Sequence, residues 1–200
     1  MLNQLTQIHT RLMQGLQHLD FLATLPLRIY LAAVFWVAGT NKIAGFEGTV
    51  QWFGNPDWGL GMPFPEVMAS LAIAAEVGGA VLLLLGLATR WATLPLIVTM
   101  IVAAVSVHWK NGWQAIHDPM SPWPSANLEG AMERLDAARN LLQEHGHYDW
   151  LTETGSFVIS NNGVEWAVTY LLMLLALLFL GGGRYLSLDY WIQRRMMKQR

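Results

Sequence analysis

The chain contains no cysteine. Disulfides, thiolate metal sites and any internal dithiol relay are therefore excluded, so electrons in any redox role must pass through a bound cofactor or a partner. Charge is scarce too: 13% of residues are charged, about half the roughly 25% of a soluble domain. The net charge of -2 is not organised into a basic stripe, and no RNA- or DNA-reading motif occurs, so nucleic acid is not an expected partner. Ser-His-Asp and Walker-type signatures at usable spacing, internal repeats and low-complexity tracts are missing as well. Met1–Asp20 is polar, with Arg11 its sole strong cation, unlike a cleaved leader. The first apolar block is therefore expected to be a retained span.

What the sequence does have is apolar residues, 54% of its 200 positions, gathered into blocks rather than spread at amphipathic spacing. Four blocks, at 22–44, 65–88, 91–109 and 164–180, have the length needed to cross a hydrocarbon core of roughly 30 Å. Of the ten Trp, Trp91, Trp109, Trp113 and Trp166 sit at or near the ends of those blocks, where an indole can keep its body in lipid and its N–H in the interface. The expected fold class is all-α: a transmembrane four-helix bundle over 21–189, with an N-terminal amphipathic helix and a helical insertion in an outer loop.

The loops orient the bundle. Cytoplasmic loops are enriched in Lys and Arg. The link at Thr89–Arg90 is too short for anything but a tight helical hairpin, and the basic tail over 190–200 carries Arg194, Arg195, Lys198 and Arg200. With four spans these share one side with Arg11 and Arg184. The insertion at 110–163 carries Lys110, Arg134 and Arg139 against Asp118, Glu129, Glu133, Asp136, Glu144, Asp149 and Glu153. That acidic segment belongs outside, which puts both termini in the cytoplasm.

Over residues 1–20, Leu5, Ile8, Leu12, Leu16 and Leu19 recur every three or four residues. This predicts an amphipathic helix on the cytoplasmic membrane surface, or one packed on the bundle. In the insertion, Ser125–Glu144 has helix formers around Leu128, Met132, Leu135, Ala138 and Leu142, with Ser125 the candidate N-cap. The three prolines of Asp118–Pro124 make a rigid irregular connection before it.

Glu76 is the most informative residue. It lies near the middle of the second span, where an ionised carboxylate costs several kcal/mol unless it is paired or hydrated. Its neighbours at helical spacing, Ala69, Ala72, Gly79 and Ala80, are all small, so this face can approach another helix closely. Glu76 therefore points into the bundle, either as a proton-linked or ligand-binding carboxylate or as an ion-paired packing device. The four-span topology puts Thr40, Asn41, Lys42, His108 and Glu165 at the outer edge, with Glu76 about two helical turns deeper. Together Glu76, His108, Asn41, Lys42 and Glu165 could form a pocket, with His108 exchanging protons near neutral pH. Singly, each would merely mark the membrane boundary.

A second polar set, Arg28, Arg90, Arg184 and Asp189, marks the inner edge. Cytoplasmic arginines commonly snorkel to headgroups, which suffices for Arg90. Gly181–Gly183 closes the fourth span as glycine closes helices. No metal site is expected. His145 and His147 with Asp149 make at most part of a copper or zinc set, His117–Asp118 reads as solvated loop, and His9 and His18 fall on the N-terminal helix.

These residues carry a family pattern. Arg28-x6-Phe35-x3-Gly39-x2-Lys42 resembles the opening span of DoxX-family membrane proteins. Glu76-Val-Gly-Gly-Ala-x4-Leu85-Gly-Leu-Ala-Thr-Arg90 resembles their second span and short turn. His108 closing the third span and Gly181-x2-Arg184-Tyr-x-Ser187-x-Asp189 after the fourth are similar to the rest. The resemblance covers roughly Leu25–Asp189, and the long 110–163 segment departs from it. It implies a four-helix inner-membrane protein. Some family members resemble membrane subunits of quinone-linked sulfur or thiol oxidoreductases; others are associated with maturation of small copper-binding peptides.

The leading expectation is an accessory membrane subunit of a redox or stress-response system, with quinone or another small ligand as candidate cofactor and a protein of that system as partner besides lipid. The alternatives are a non-catalytic scaffold docking a soluble or periplasmic partner through 110–163, for instance in copper-peptide maturation, and a small transporter, which would need homo-oligomerisation. Whether the chain is itself an enzyme stays open at this stage.

Overall fold

The computed structural model describes residues 2–199; the side chains of residues 2–5, 8, 14 and 17 are outside that description. Leu5 and Ile8 of the predicted stripe, and Arg200 of the tail, therefore lie outside the described residues. The described chain is all-α, with a single isolated bridge between Ile116 and Ser160 and no strand. It divides into two compact units, Met1–Thr99 with Tyr170–Arg200, and Met100–Thr169.

In the first unit, α1 (Leu2–Gln17) is followed by α2 (Phe21–Ala44), the short α3 (Phe46–Gly54) and α4 (Pro65–Leu85). Next come α5 (Thr89–Val102) and, after the second unit begins, the insertion helices α6 (Leu128–His145) and α7 (Tyr148–Leu151). The chain ends with α8 (Glu165–Leu180) and α9 (Leu188–Lys198). The helices α2, α4 and α5, the last extended to Asn111, are long and apolar enough to cross a membrane, and α8 is a shorter apolar helix. The predicted blocks are thus recovered with ends shifted by a few residues. The second is the largest shift: Gly86 stops α4, and 86–88 form the turn.

The four apolar helices close a ring within this unit. Gly39 of α2 abuts α4, where a Cβ would come within 2.6 Å of Val77 Cγ2, and Gly79 of α4 abuts Leu96 of α5 at 2.8 Å. Arg90 of α5 donates to the Phe179 carbonyl of α8 over 3.0 Å, and Tyr30 of α2 meets Tyr170 of α8 with centroids 6.1 Å apart. Leu31, Phe35, Leu83, Leu96, Leu174 and Leu177 fill the interior, while Trp36, Leu71, Val98 and Phe179 are left exposed. A helix apolar on every side is what lipid selects, because the outer face gains nothing from polarity. This is an all-α membrane protein.

Glycine and a polar node tie the helices together at the end of the bundle where α4 stops and α5 starts. Arg28 is fully buried and donates to the carbonyls of Leu83 and Leu84 at the end of α4 and to those of Gly182 and Leu186 beyond α8. One guanidinium thereby satisfies four carbonyls that would otherwise be orphaned near two helix ends. Asp189 is the counterpart: its two oxygens accept from the backbone N–H groups of Ala88 and Thr89, capping the start of α5. Gly86 has φ +62, and a Cβ there would lie 2.6 Å from Arg28 Cζ. The turn is therefore closed to any larger residue on two counts.

The short helix α3 packs on α4 through Phe53, and Asn55 Oδ1 accepts from the N–H groups of Asp57 and Trp58 to turn the chain after it. Neither α3 nor α9 was predicted; the tail over 190–200 was expected only to be basic.

The second unit is knitted by backbone pairing of 112–117 with 159–165 around a buried glutamine. Gln114 donates to the Asp118 carbonyl and accepts from Ser125 N–H, and Asn161 donates to the carbonyls of Asn111 and Gln114. The predicted outer helix exists as α6, but Ser125 is not its cap. Asn127 occupies the N-cap position, and Ser125 Oγ instead bonds His117 Nδ1 at 2.8 Å. The tertiary partner outcompetes the local one. The run 103–108 winds as a π-helix, followed by a 3-10 turn at Trp109–Asn111. Such widened turns often sit at functional positions.

Candidate functional site

Helix α2 ends with Lys42, and α4 places Glu76 on its face of small residues, Ala69, Gly79 and Ala80, all of them buried. The absence of side-chain bulk at Gly39 lets the two helices close, and Lys42 reaches down to Glu76. The ammonium bonds both carboxylate oxygens, at 2.9 Å and 2.8 Å. The Glu76 side chain is 3% exposed and that of Lys42 28%. The pair is thus an internal ion pair with a partly open cationic end. Since an ammonium has three protons, one is left for a third acceptor from the open side.

The register differs from expectation in one respect. A Cβ on Gly39 would lie 3.2 Å from Glu76 Cβ. Glu76 is therefore level with Gly39, and three residues separate that level from Lys42, about 4.5 Å along the helix. The depth is about one turn rather than two.

The other predicted members are placed as follows. Asn41 is exposed, and its carbonyl accepts from Gly45 N–H at the end of α2. His108 and Glu165 belong to the second unit. His108 Nδ1 lies 2.9 Å from the Asn162 carbonyl, an acceptor only, so Nδ1 donates to it. Glu165 Oε2 accepts from Ala115 N–H. The structure thus brings Lys42 to Glu76, and gives Asn41, His108 and Glu165 local backbone partners.

At the inner edge, Arg28 and Asp189 make the node described above. Arg90 holds the Phe179 carbonyl instead of reaching only for headgroups, and Arg184 approaches Asp20 at 3.8 Å and His18 Nδ1 at 2.9 Å. Four backbone carbonyls on one buried arginine describe a joint between helices. Among the described residues no group of three or more His, Asp or Glu side chains could hold a metal ion. His145 lies 3.8 Å from Glu144 and does not complete a set with His147.

A cavity of about 570 Å³ lies within the second unit. Gln114, His117, Asp118, Arg139 and Glu165 line it beside Leu135, Phe157 and Trp166. Its size and mixed lining suit a small molecule. His117 was expected to be solvated loop; the Ser125 hydroxyl holds its ring at the cavity wall instead. No local signal marks it, because its partner Ser125 lies eight residues further along the insertion.

The DoxX family profile matches residues 23–109, which hold Arg28, Lys42, Glu76, Arg90 and His108. "Inner membrane protein YphA" of Escherichia coli (strain K12) is 32% identical over 130 residues, covering 60% of this chain and 88% of the relative. "Putative oxidoreductase CatD" of Bacillus subtilis (strain 168) is 38% identical over 89 residues, 44% of this chain and 62% of that protein. No solved structure matches significantly. The profile match and the relative, 88% of which this chain covers, place the chain together: it belongs to the DoxX family of membrane proteins.

Proposed function

We propose that this protein is an accessory inner-membrane subunit of a redox system, in which the Lys42–Glu76 pair handles a proton-linked small ligand of quinone type. The carrying observation is the pair itself: a carboxylate 3% exposed, held by an ammonium inside an apolar bundle. Ionisable groups at such positions are expensive and tend to mark ligand or proton paths. The printed name of the B. subtilis relative directs the choice to oxidoreduction, and the lack of cysteine assigns the electrons to a bound cofactor or partner. The open third proton of Lys42 suits a carbonyl or phenolate oxygen, so the residues present fit a quinone headgroup. When bound, that group supplies the electron chemistry. The protein's part is to orient it and hold a proton at the Glu76 carboxylate.

The charge distribution supports an orientation with both termini in the cytoplasm and 110–163 outside. Compactness of the second unit, with its own cavity, favours a second reading: a scaffold that docks a partner through that segment.

The test is mass spectrometry of what stays bound to the protein purified from native membranes. Wild type, Glu76→Gln and a Lys42→Met/Glu76→Met double variant are compared. The double variant removes the charges while keeping apolar volume, so it distinguishes loss of site from loss of fold. Quinone on the wild type, absent from a double variant that still folds, is the expected result. No quinone on any of the three, with one soluble protein retained equally by all, would overturn the redox reading in favour of the scaffold.

A further inference from the structure

The last helix, α9, is anchored only at its start. Ser187 caps it by accepting from Tyr190 N–H, Asp189 is held by the α5 N-terminus, and Trp191 Nε1 donates to the Tyr185 carbonyl. From Trp191 to Gln199 every side chain is exposed. An isolated helix of eleven residues is marginal in water, so something must cover it.

The composition says what. Leu188, Trp191, Ile192 and Met196 recur at i, i+3, i+4 and i+8, which is one helix face. Arg194, Arg195 and Lys198 are its charges beyond Asp189, all of one sign, and Arg194 lies over the Trp191 ring at 5.5 Å. Asp189 itself is occupied within the fold. An apolar arc with an aromatic anchor, flanked by Arg194 and Lys198 and with Arg195 inside the arc, where its long stem can snorkel to the headgroups, fits the plane of a bilayer interface, and its charge complements anionic headgroups. The tether fits as well: Arg28 and Asp189 tie the segment after α8 and the first turn of α9 to the ends of α4 and α5, at the membrane boundary of the bundle.

We infer that α9 is an interfacial anchor that binds anionic lipid, lying in the headgroup layer with Arg194, Arg195 and Lys198 on phosphate groups. This rests on the membrane embedding of the chain and is independent of the redox reading.

The lack of native cysteine makes the test direct. Nitroxide labels at Ile192→Cys and Gln193→Cys are placed in the full-length protein in nanodiscs. The discs contain phosphatidylcholine alone or with phosphatidylglycerol, and collisions with oxygen and with a water-soluble nickel chelate are measured. With phosphatidylglycerol the residue 192 label is expected to gain oxygen and lose nickel contact, while the 193 label, on another face, remains in water. Each basic residue at an anionic surface contributes roughly fivefold to the bound-to-free ratio. Neutralising Arg194, Arg195 and Lys198 to Gln should therefore abolish the dependence on lipid. Equal nickel contact at 192 in both lipids overturns the inference. Shielding at 192 that is indifferent both to lipid and to the Gln substitutions also overturns it, and assigns the face to a second protein surface.

Discussion

Arg28 and Glu76 are both charged, both buried and both on membrane helices, yet their surroundings differ in kind. Arg28 meets only backbone carbonyls, four of them, whereas Glu76 meets one movable ammonium. The first arrangement is a fixed joint, because every bond ends on the frame. Arg28→Lys should therefore unfold the protein at lower temperature in detergent: three ammonium protons cannot replace a planar fork of five. A carbonyl left unsatisfied costs about 1–3 kcal/mol. Gly86→Ala should have a similar effect, since it combines a left-handed backbone with contact against the same guanidinium. Thermal unfolding followed by circular dichroism checks both. For the ion pair, Glu76→Gln strands an ammonium and should cost about 3 kcal/mol, while the Lys42→Met/Glu76→Met double variant recovers most of that loss. Equal stability of the single and double variants would show that the stranded ammonium is not the source of the loss.

At the scale of elements, helix contact is set by what is missing from the facing surfaces. Gly39 and Gly79 stand on opposite flanks of the packing around α4, each with a neighbour closer than a Cβ tolerates. Lipid tails are as apolar as leucine, so close backbone approach and dispersion hold these helices together. Gly79→Leu should wedge α4 from α5 at Leu96, and Gly39→Leu should wedge α2 from α4 and draw Lys42 from Glu76. Only the second should impair ligand retention more than stability, which the mass-spectrometric assay resolves. Much of this scale was legible in sequence, because a run of apolar residues is a local property. The spans, the small-residue face of Glu76 and the outer helix all follow from it. The cap of α6 did not, because Ser125 found a better partner in His117. The helix α9 was hidden by its basic residues, which read first as a tail. At about 24 Å for its 16 residues, α8 falls short of the hydrocarbon thickness, which local thinning or flanking residues can absorb.

At the scale of the molecule, orientation is the property that the charge pattern predicts. Enrichment of cytoplasmic loops in Arg and Lys, with an acidic insertion at 110–163, predicts that this insertion lies outside. With no cysteine to confound it, single substitutions Gln143→Cys and Gln199→Cys should label oppositely. An impermeant maleimide added to intact cells should reach the first and miss the second until the membrane is broken. The reverse pattern would invert the topology and move the second unit to the cytoplasm. In the scaffold reading, trimming that unit should abolish function while the Lys42→Met/Glu76→Met double variant retains it; in the redox reading the dependence is reversed.

Membrane residence, the approximate extents of the four long apolar blocks and the exclusion of thiol chemistry were determined by sequence alone, because each depends on composition or on the solvation of a stretch of chain. Which cation meets Glu76, that Arg28 joins two helix ends, and that His117 lines a cavity were decided only in three dimensions. Those facts depend on which helices are neighbours and at what register, and a side chain's partner is chosen by distance in space, which residue spacing does not encode.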